Sequence, residues 1–171
     1  MASKITVSKV KKAKKIIWAL DPFSELKSTW KRSEEVLRAL TAKGNILIEP
    51  VFVLGSASLN WVGEITPPHI DHFLPITQKA MEKIVKRIDM PNILPPKVIV
   101  NKRSSKGSDV KELMKYASQR NAQLIVVNTH ARKGIKKVFL GSFAERVLSH
   151  SRVPMIFVSP NTLSHALCIV F

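Results

Sequence analysis

The chain of 171 residues has a single cysteine, Cys168, so no disulfide can form within it, and a reducing cytoplasmic setting suits it. It lacks any apolar run of the ~18–20 residues that a helical membrane span requires. The best candidate, NILIEPVFVLG, is interrupted by Glu49 and Pro50. Behind the lysine-rich start MASKITVSKVKKAKK there is no apolar core with a cleavage site, so the segment does not read as a secretory signal. Acidic residues are also scarce: 12 Asp and Glu stand against 28 Lys and Arg, a formal charge of +16. An excess of that size favours acidic partners, among them nucleic acid, and otherwise serves as solvated surface charge. The cations are not interleaved with aromatics, as a base-stacking platform would require.

What is present is enough apolar material for a core. Hydrophobic residues make up 45% of the chain, too many for a disordered polymer and sufficient for one domain. The organisation expected is a basic tail over 1–14, a domain over 15–160 and an apolar extension over 161–171. Apolar runs and helical spacings alternate along it. IIWAL (16–20) reads as a strand stopped by Asp21-Pro22. Leu26, Trp30, Val36, Leu37 and Leu40 give a helix from Ser24 to about Lys43, ended by Gly44. ILIEPVFVL (46–54) is a second strand, followed by a proline-containing loop to Pro75 with room for one helical turn.

Ile76, Ala80, Ile84 and Ile88 predict a second helix with those residues on its buried face. KVIVN (97–101) is a third strand, and Ser108 is the expected cap of a helix carrying Val110, Leu113, Met114 and Ala117. QLIVVN is a fourth strand, Ser142 to about His150 a fourth helix, and PMIFVS a fifth strand. The strands are near-continuous apolar runs, as in parallel sheets covered on both faces. A doubly wound α/β sheet follows, with its ligand crevice at the carboxyl ends of the strands where strand order reverses. Asp21, Gly55-Ser56, Asn101-Lys102-Arg103 and the loop from Asn128 therefore matter most.

That last loop, in VVNTHARKGIKKVFLGSFAERVLSHSRVPMIFVSP, resembles the end of the universal stress proteins, in which a Gly-x-x-Gly loop precedes, nine residues later, Gly-Ser or Gly-Thr opening a helix. IIWALDPFSE resembles the family's first strand ending in Asp. The resemblance spans roughly residues 14–160 and is most specific in LGSFAERVL. It implies a five-stranded parallel sheet of flavodoxin-like order, a three-layer sandwich shared with the adenine nucleotide alpha hydrolases. It also implies a cytoplasmic homodimer joined through the last strand, with a role in stress survival. Some members bind ATP. On this chain the final Gly-Ser pair falls on Gly141-Ser142, whereas the two earlier glycine positions are occupied by Asn128 and Ala131.

Glycine in a phosphate loop supplies positive φ and close backbone approach. Asn128 tolerates the left-handed region, yet its side chain is expected to occupy space where ribose or phosphate would lie. Ala131 is costly only at positive φ. The resemblance implies that ATP, if bound, would have its base near Asp21 and Val53. Its phosphates would lie on Ala131, Arg132, Gly141, Ser142 and Phe143, with His130 at the crevice mouth and Mg²⁺ bridging phosphates and water. Ser142-Phe-Ala-Glu145 is also a complete capping box, and Asp21 before Pro22 an ordinary turn former.

The expectation is a binding or signalling module with a degenerate ATP site, at most a weak ATPase. The alternatives are a stress protein without nucleotide that acts through protein partners, and a nucleic-acid or anion-binding module. His69, Asp71 and His72 invite a zinc reading, but lack a supporting ligand cluster. The final CIVF fits a prenylation pattern without the basic residues that usually precede it, so packing against the body or a dimer contact is the plainer expectation.

Overall fold

Strand residues of alternating parity supply two separate apolar surfaces, and this alternation organises the molecule. A computed structural model describes residues 13–23, 27–42, 44–55, 67–103, 105, 107–128, 149–158 and 168–170. Five parallel strands form the sheet: β1 (Lys14–Ala19), β2 (Ile46–Gly55), β3 (Lys97–Asn101), β4 (Leu124–Asn128) and β5 (Met155–Val158). A short β6 (Cys168–Val170) lies antiparallel to β5, giving the order β3-β2-β1-β4-β5-β6. The parallel sheet matches expectation, while its strand order 3-2-1-4-5 differs from the flavodoxin-like 2-1-3-4-5, because β3 continues outward from β2 instead of crossing to the far side of β1. The sixth strand was not anticipated; it arises because the edge of β5 presents unpaired backbone groups that an apolar segment can satisfy.

Ile16, Trp18, Ile48, Phe52, Leu54, Val98, Val126, Ile156 and Val158 face one side of the sheet. There they meet α1 (Lys27–Thr41) through Leu37 and α2 (Leu74–Ile88) through Met81, Ile84 and Ile88. Ile17, Val51, Val53, Ile125, Val127, Met155 and Phe157 face the other side, against Val110, Leu113 and Ala117 of α3 (Ser108–Gln119). The change of covering face follows from chain direction. Successive strands step outward from β1 to β3, then the chain returns to place β4 on the other side of β1, and right-handed crossovers put α3 on the opposite face. Strand order thus reverses between β1 and β4.

Pro50 lies within β2, where a proline would ordinarily break a ladder. The amide of Ile48 donates to Asn92 O, so the Pro50 nitrogen faces the same side as that of Ile48. β3 begins to pair only at Val51, and the missing donor falls in the gap between the Ile48–Ile93 bridge and β3.

Two helix details depart from the sequence reading. On α2 the buried stripe is Thr77, Met81, Ile84 and Ile88, while Ile76 is 60% exposed. A preceding 3-10 helix (Pro67–Phe73) sets the helix phase, and Thr77 Oγ1 donates to Phe73 O at 2.7 Å, which lets a polar residue be buried in place of Ile76. On α3 the cap is Gly107, at φ 85°, rather than Ser108. Ser108 occupies the first turn, with its hydroxyl donating to Arg103 O at 2.9 Å. Of the expected fourth helix, 142–148 lie outside the described residues and 149–150 are helical.

Candidate functional site

The carboxyl ends of β1, β2 and β4 converge by register. Ala19 stands beside Val51 on one flank and Val127 on the other. Continuing each strand brings Leu20 level with Asn128, and Asp21 level with Val53. Val53 is buried on the α3 side. Asp21 closes a tight turn at the end of β1, its Oδ1 accepting from the Phe23 amide at 2.9 Å. The structure thus brings Asp21, Val53 and Asn128 to one rim. His130, Ala131, Arg132, Gly141, Ser142 and Phe143 lie outside the described residues.

Asn128 corrects the sequence reading. Its side chain was expected to intrude on a ligand, but it points to the α1 side, where Oδ1 accepts from Trp18 Nε1 at 3.3 Å and from Ser33 Oγ at 2.5 Å. An indole N–H can only donate, so the amide orientation is fixed by Trp18. Among the described residues, positive φ at non-glycine positions occurs at Asp89 and Asn121, so Asn128 is ordinary strand backbone paired with Val158. Position 128 therefore needs no glycine. The physical reason is parity: Leu124, Val126 and Asn128 share one face of β4, opposite to that of Val53. Asn128 Nδ2 and, on α1, Trp30 Nε1 are buried without a hydrogen-bond partner among the described residues.

A second polar group at this end of the sheet is built on Asn101, which the sequence placed among the residues that follow strands, and on Asp109, which the sequence reading did not single out. Asn101, 2% exposed at the end of β3, donates through Nδ2 to Ser108 Oγ at 2.7 Å and to Asp109 Oδ1 at 2.5 Å. Its Oδ1 accepts from the Arg103 amide at 3.1 Å. Burial pushes the Asp109 carboxyl up from its ordinary range, and the Asn101 hydrogen bond opposes that shift. A polar residue ending an apolar strand, with Ser-Asp opening the next helix, was the available signal.

At the opposite end of the sheet, Glu49 is 5% exposed and fully engaged. Tyr116 Oη donates to its Oε1 at 2.7 Å and Arg120 Nε to its Oε2 at 2.9 Å. The Arg120 guanidinium also lies 5.9 Å from the Tyr116 ring centroid. Burial, reinforced by the hydrogen bond and the charge of Glu49, pushes the Tyr116 hydroxyl up to about 12. The signal for this cluster was a charged residue inside an otherwise apolar strand.

The weighed metal reading finds no support in geometry. Asp71 Oδ2 is held by Lys102 Nζ at 2.6 Å, and no group of three His, Cys, Asp or Glu suited to a metal occurs among the described residues. Likewise, no helix among the described residues is long and apolar enough to cross a membrane.

The universal stress protein family model matches residues 77–159, the stretch that holds β3, α3, β4 and β5. Over that stretch the chain is similar to the universal stress protein family. A curated universal stress protein of Methanocaldococcus jannaschii is 27% identical over 81 residues, 47% of this chain and 45% of that relative, so the match spans about half of the relative's length. Solved universal stress proteins share the fold over nearly their whole length. The one from Archaeoglobus fulgidus is 16% identical, with 86% of this chain and 99% of the other covered and a TM-score of 0.58. Hypothetical protein MJ0577 is 18% identical over 88% and 98% of the two chains, with a TM-score of 0.63. A universal stress protein in complex with cAMP is 16% identical over 86% and 98%, with a TM-score of 0.51. The universal stress protein fold thus extends to the first strands, which the family model does not reach.

Proposed function

We propose that this universal-stress-protein-like chain is a stress-response binding module whose crevice takes an adenine nucleotide, ATP with Mg²⁺ or a cyclic nucleotide, without acting as a vigorous enzyme. The observation that supports this reading is the placement of Asn128. Its amide is drawn into the α1 face by Trp18 and Ser33, so loss of the first loop glycine leaves the α3 side of the crevice, where Val53 lies, unobstructed by that side chain. The cAMP complex of a structural relative supports a nucleotide as the ligand class.

The base would lie near Val53 and Asp21, with the phosphates on Ala131, Arg132, Gly141, Ser142 and Phe143. Isothermal calorimetry with MgATP and with cAMP tests this directly. Heat of binding and a raised melting temperature are expected; neither signal at millimolar ligand would sink the proposal.

A second reading rests on α2, where Lys79, Lys83, Lys86 and Arg87 are all exposed at helical spacings of three and four. Such a stripe favours an anionic partner, including nucleic acid. Its binding would fall steeply with added salt, whereas salt-indifferent binding argues against it. The homodimer implied by the family is likewise a proposal. Because β5 is already paired with β4 and β6, its contact would run through β6, and light scattering on a chain lacking residues 161–171 would then report a monomer.

A further inference from the structure

At the end of β2 the space that a side chain would fill belongs to another residue. A Cβ at Gly55 would collide with Asp109 Oδ1 and come within 2.9 Å of its Cγ and 3.0 Å of its Oδ2. The carboxyl of Asp109 therefore sits against the last residue of β2, on the same face as Val53 and two residues farther along. At a rise of ~3.3 Å per residue that is roughly 6.6 Å from the residue near which the base would lie.

The two carboxylate oxygens are not equivalent. Oδ1 accepts from Asn101 Nδ2, and Asn101 cannot turn over, because its own oxygen accepts from the Arg103 amide. No hydrogen bond among the described residues uses Oδ2, which retains its acceptor capacity. We propose that Asp109, fixed over Gly55 by Asn101, reads the nucleotide base through Oδ2 and selects bases that carry an exocyclic amino group.

This proposal rests on the nucleotide reading above and deepens it. An ionised carboxylate oxygen accepts and cannot donate. It pairs with the amino group of adenine and opposes the 6-oxo group of hypoxanthine. The partly desolvated setting strengthens the hydrogen bond and the discrimination alike.

Calorimetry at mildly alkaline pH, comparing the magnesium complexes of ATP, purine riboside triphosphate and inosine triphosphate, tests the proposal on the native chain. ATP is expected to bind about ten times tighter than purine riboside triphosphate, which lacks only the amino group, an effect of one hydrogen bond. Inosine triphosphate should be weaker still.

Asp109→Asn supplies the decisive variant. Asn101 Nδ2 still demands an oxygen at the Oδ1 position, so the new amide nitrogen must take the place of Oδ2 and offer a donor. Preference should then reverse toward inosine triphosphate. Equal binding of the three nucleotides by the native chain would overturn the inference and leave the proposed function standing. An unchanged preference for ATP in Asp109→Asn would overturn it as well. Absence of binding by all three would remove the proposed function, and this inference with it.

Discussion

The two ends of the sheet treat their polar groups in opposite ways. At the amino end, Glu49, Tyr116 and Arg120 form a closed set in which both carboxylate oxygens are engaged. At the carboxyl end, Asn128 Nδ2 and Trp30 Nε1 lack partners among the described residues, and there Asp109 uses one oxygen of two. A closed network staples secondary elements together, here β2 to the last turn of α3. An incompletely used one costs stability and keeps capacity for a ligand. The unused oxygen of Asp109 is what that contrast adds in support of the proposed site at the carboxyl end.

The largest effect that would break this comparison is expected from Glu49→Ala. It strands Tyr116 and Arg120 and should cost about 2–3 kcal/mol in urea unfolding. This is below the loss from breaking a fully buried pair, because the Arg120 side chain is 39% exposed. Nucleotide affinity should not change.

Asn128→Gly should come next, losing about 1–3 kcal/mol as Trp18 Nε1 and Ser33 Oγ lose their common acceptor. Restoring this motif glycine alone should bring no gain in ATP affinity by calorimetry; a large gain would show that the Asn128 side chain does obstruct the crevice. Ser33→Ala removes one of the same hydrogen bonds from a fully buried hydroxyl and should cost about 1 kcal/mol in the same unfolding assay.

Two titrations sharpen the contrast further. Tyr116 is the one tyrosine of the chain, so tyrosinate absorbance reports it alone. Its midpoint should lie at about 12 in the folded protein and fall toward the ordinary value in Glu49→Gln. Because the folded hydroxyl holds its proton longer than the unfolded one, this contribution to stability is complete below about pH 10 and declines as pH rises toward 12. Asp109 has the raised carboxyl, so the folded state binds its proton more tightly than the unfolded state does. Stability consequently declines as pH rises from the ordinary carboxylate range through the raised value. Asp109→Asn, the smallest of these effects, should remove that decline and raise the melting temperature slightly at neutral pH.

Much of the fold is legible in the sequence because burial on both faces leaves runs such as QLIVVN and PMIFVS with few alternatives. KVIVN occupies the positions expected, and ILIEPVFVL gains only Gly55. The phase of α2 was less legible. Ile76 and Thr77 are adjacent, each starts a plausible stripe, and the 3-10 helix that chooses between them lies upstream. At the proposed site, Asp21 was singled out because it follows a strand, and Val53 through the family resemblance. Asp109 was not, because its proximity to Gly55 joins residues more than fifty positions apart.

Asn128 draws the boundary between the two kinds of information. The sequence alone established that a glycine of the loop motif had been replaced, that strands and helices alternate, and that the chain carries a large positive charge. Only the tertiary structure decided which way the replacement points. The face a strand residue presents depends on register and on what covers each side. At Asn128 a tryptophan from the neighbouring strand and a serine from α1 supply the hydrogen bonds that turn the side chain away from the crevice.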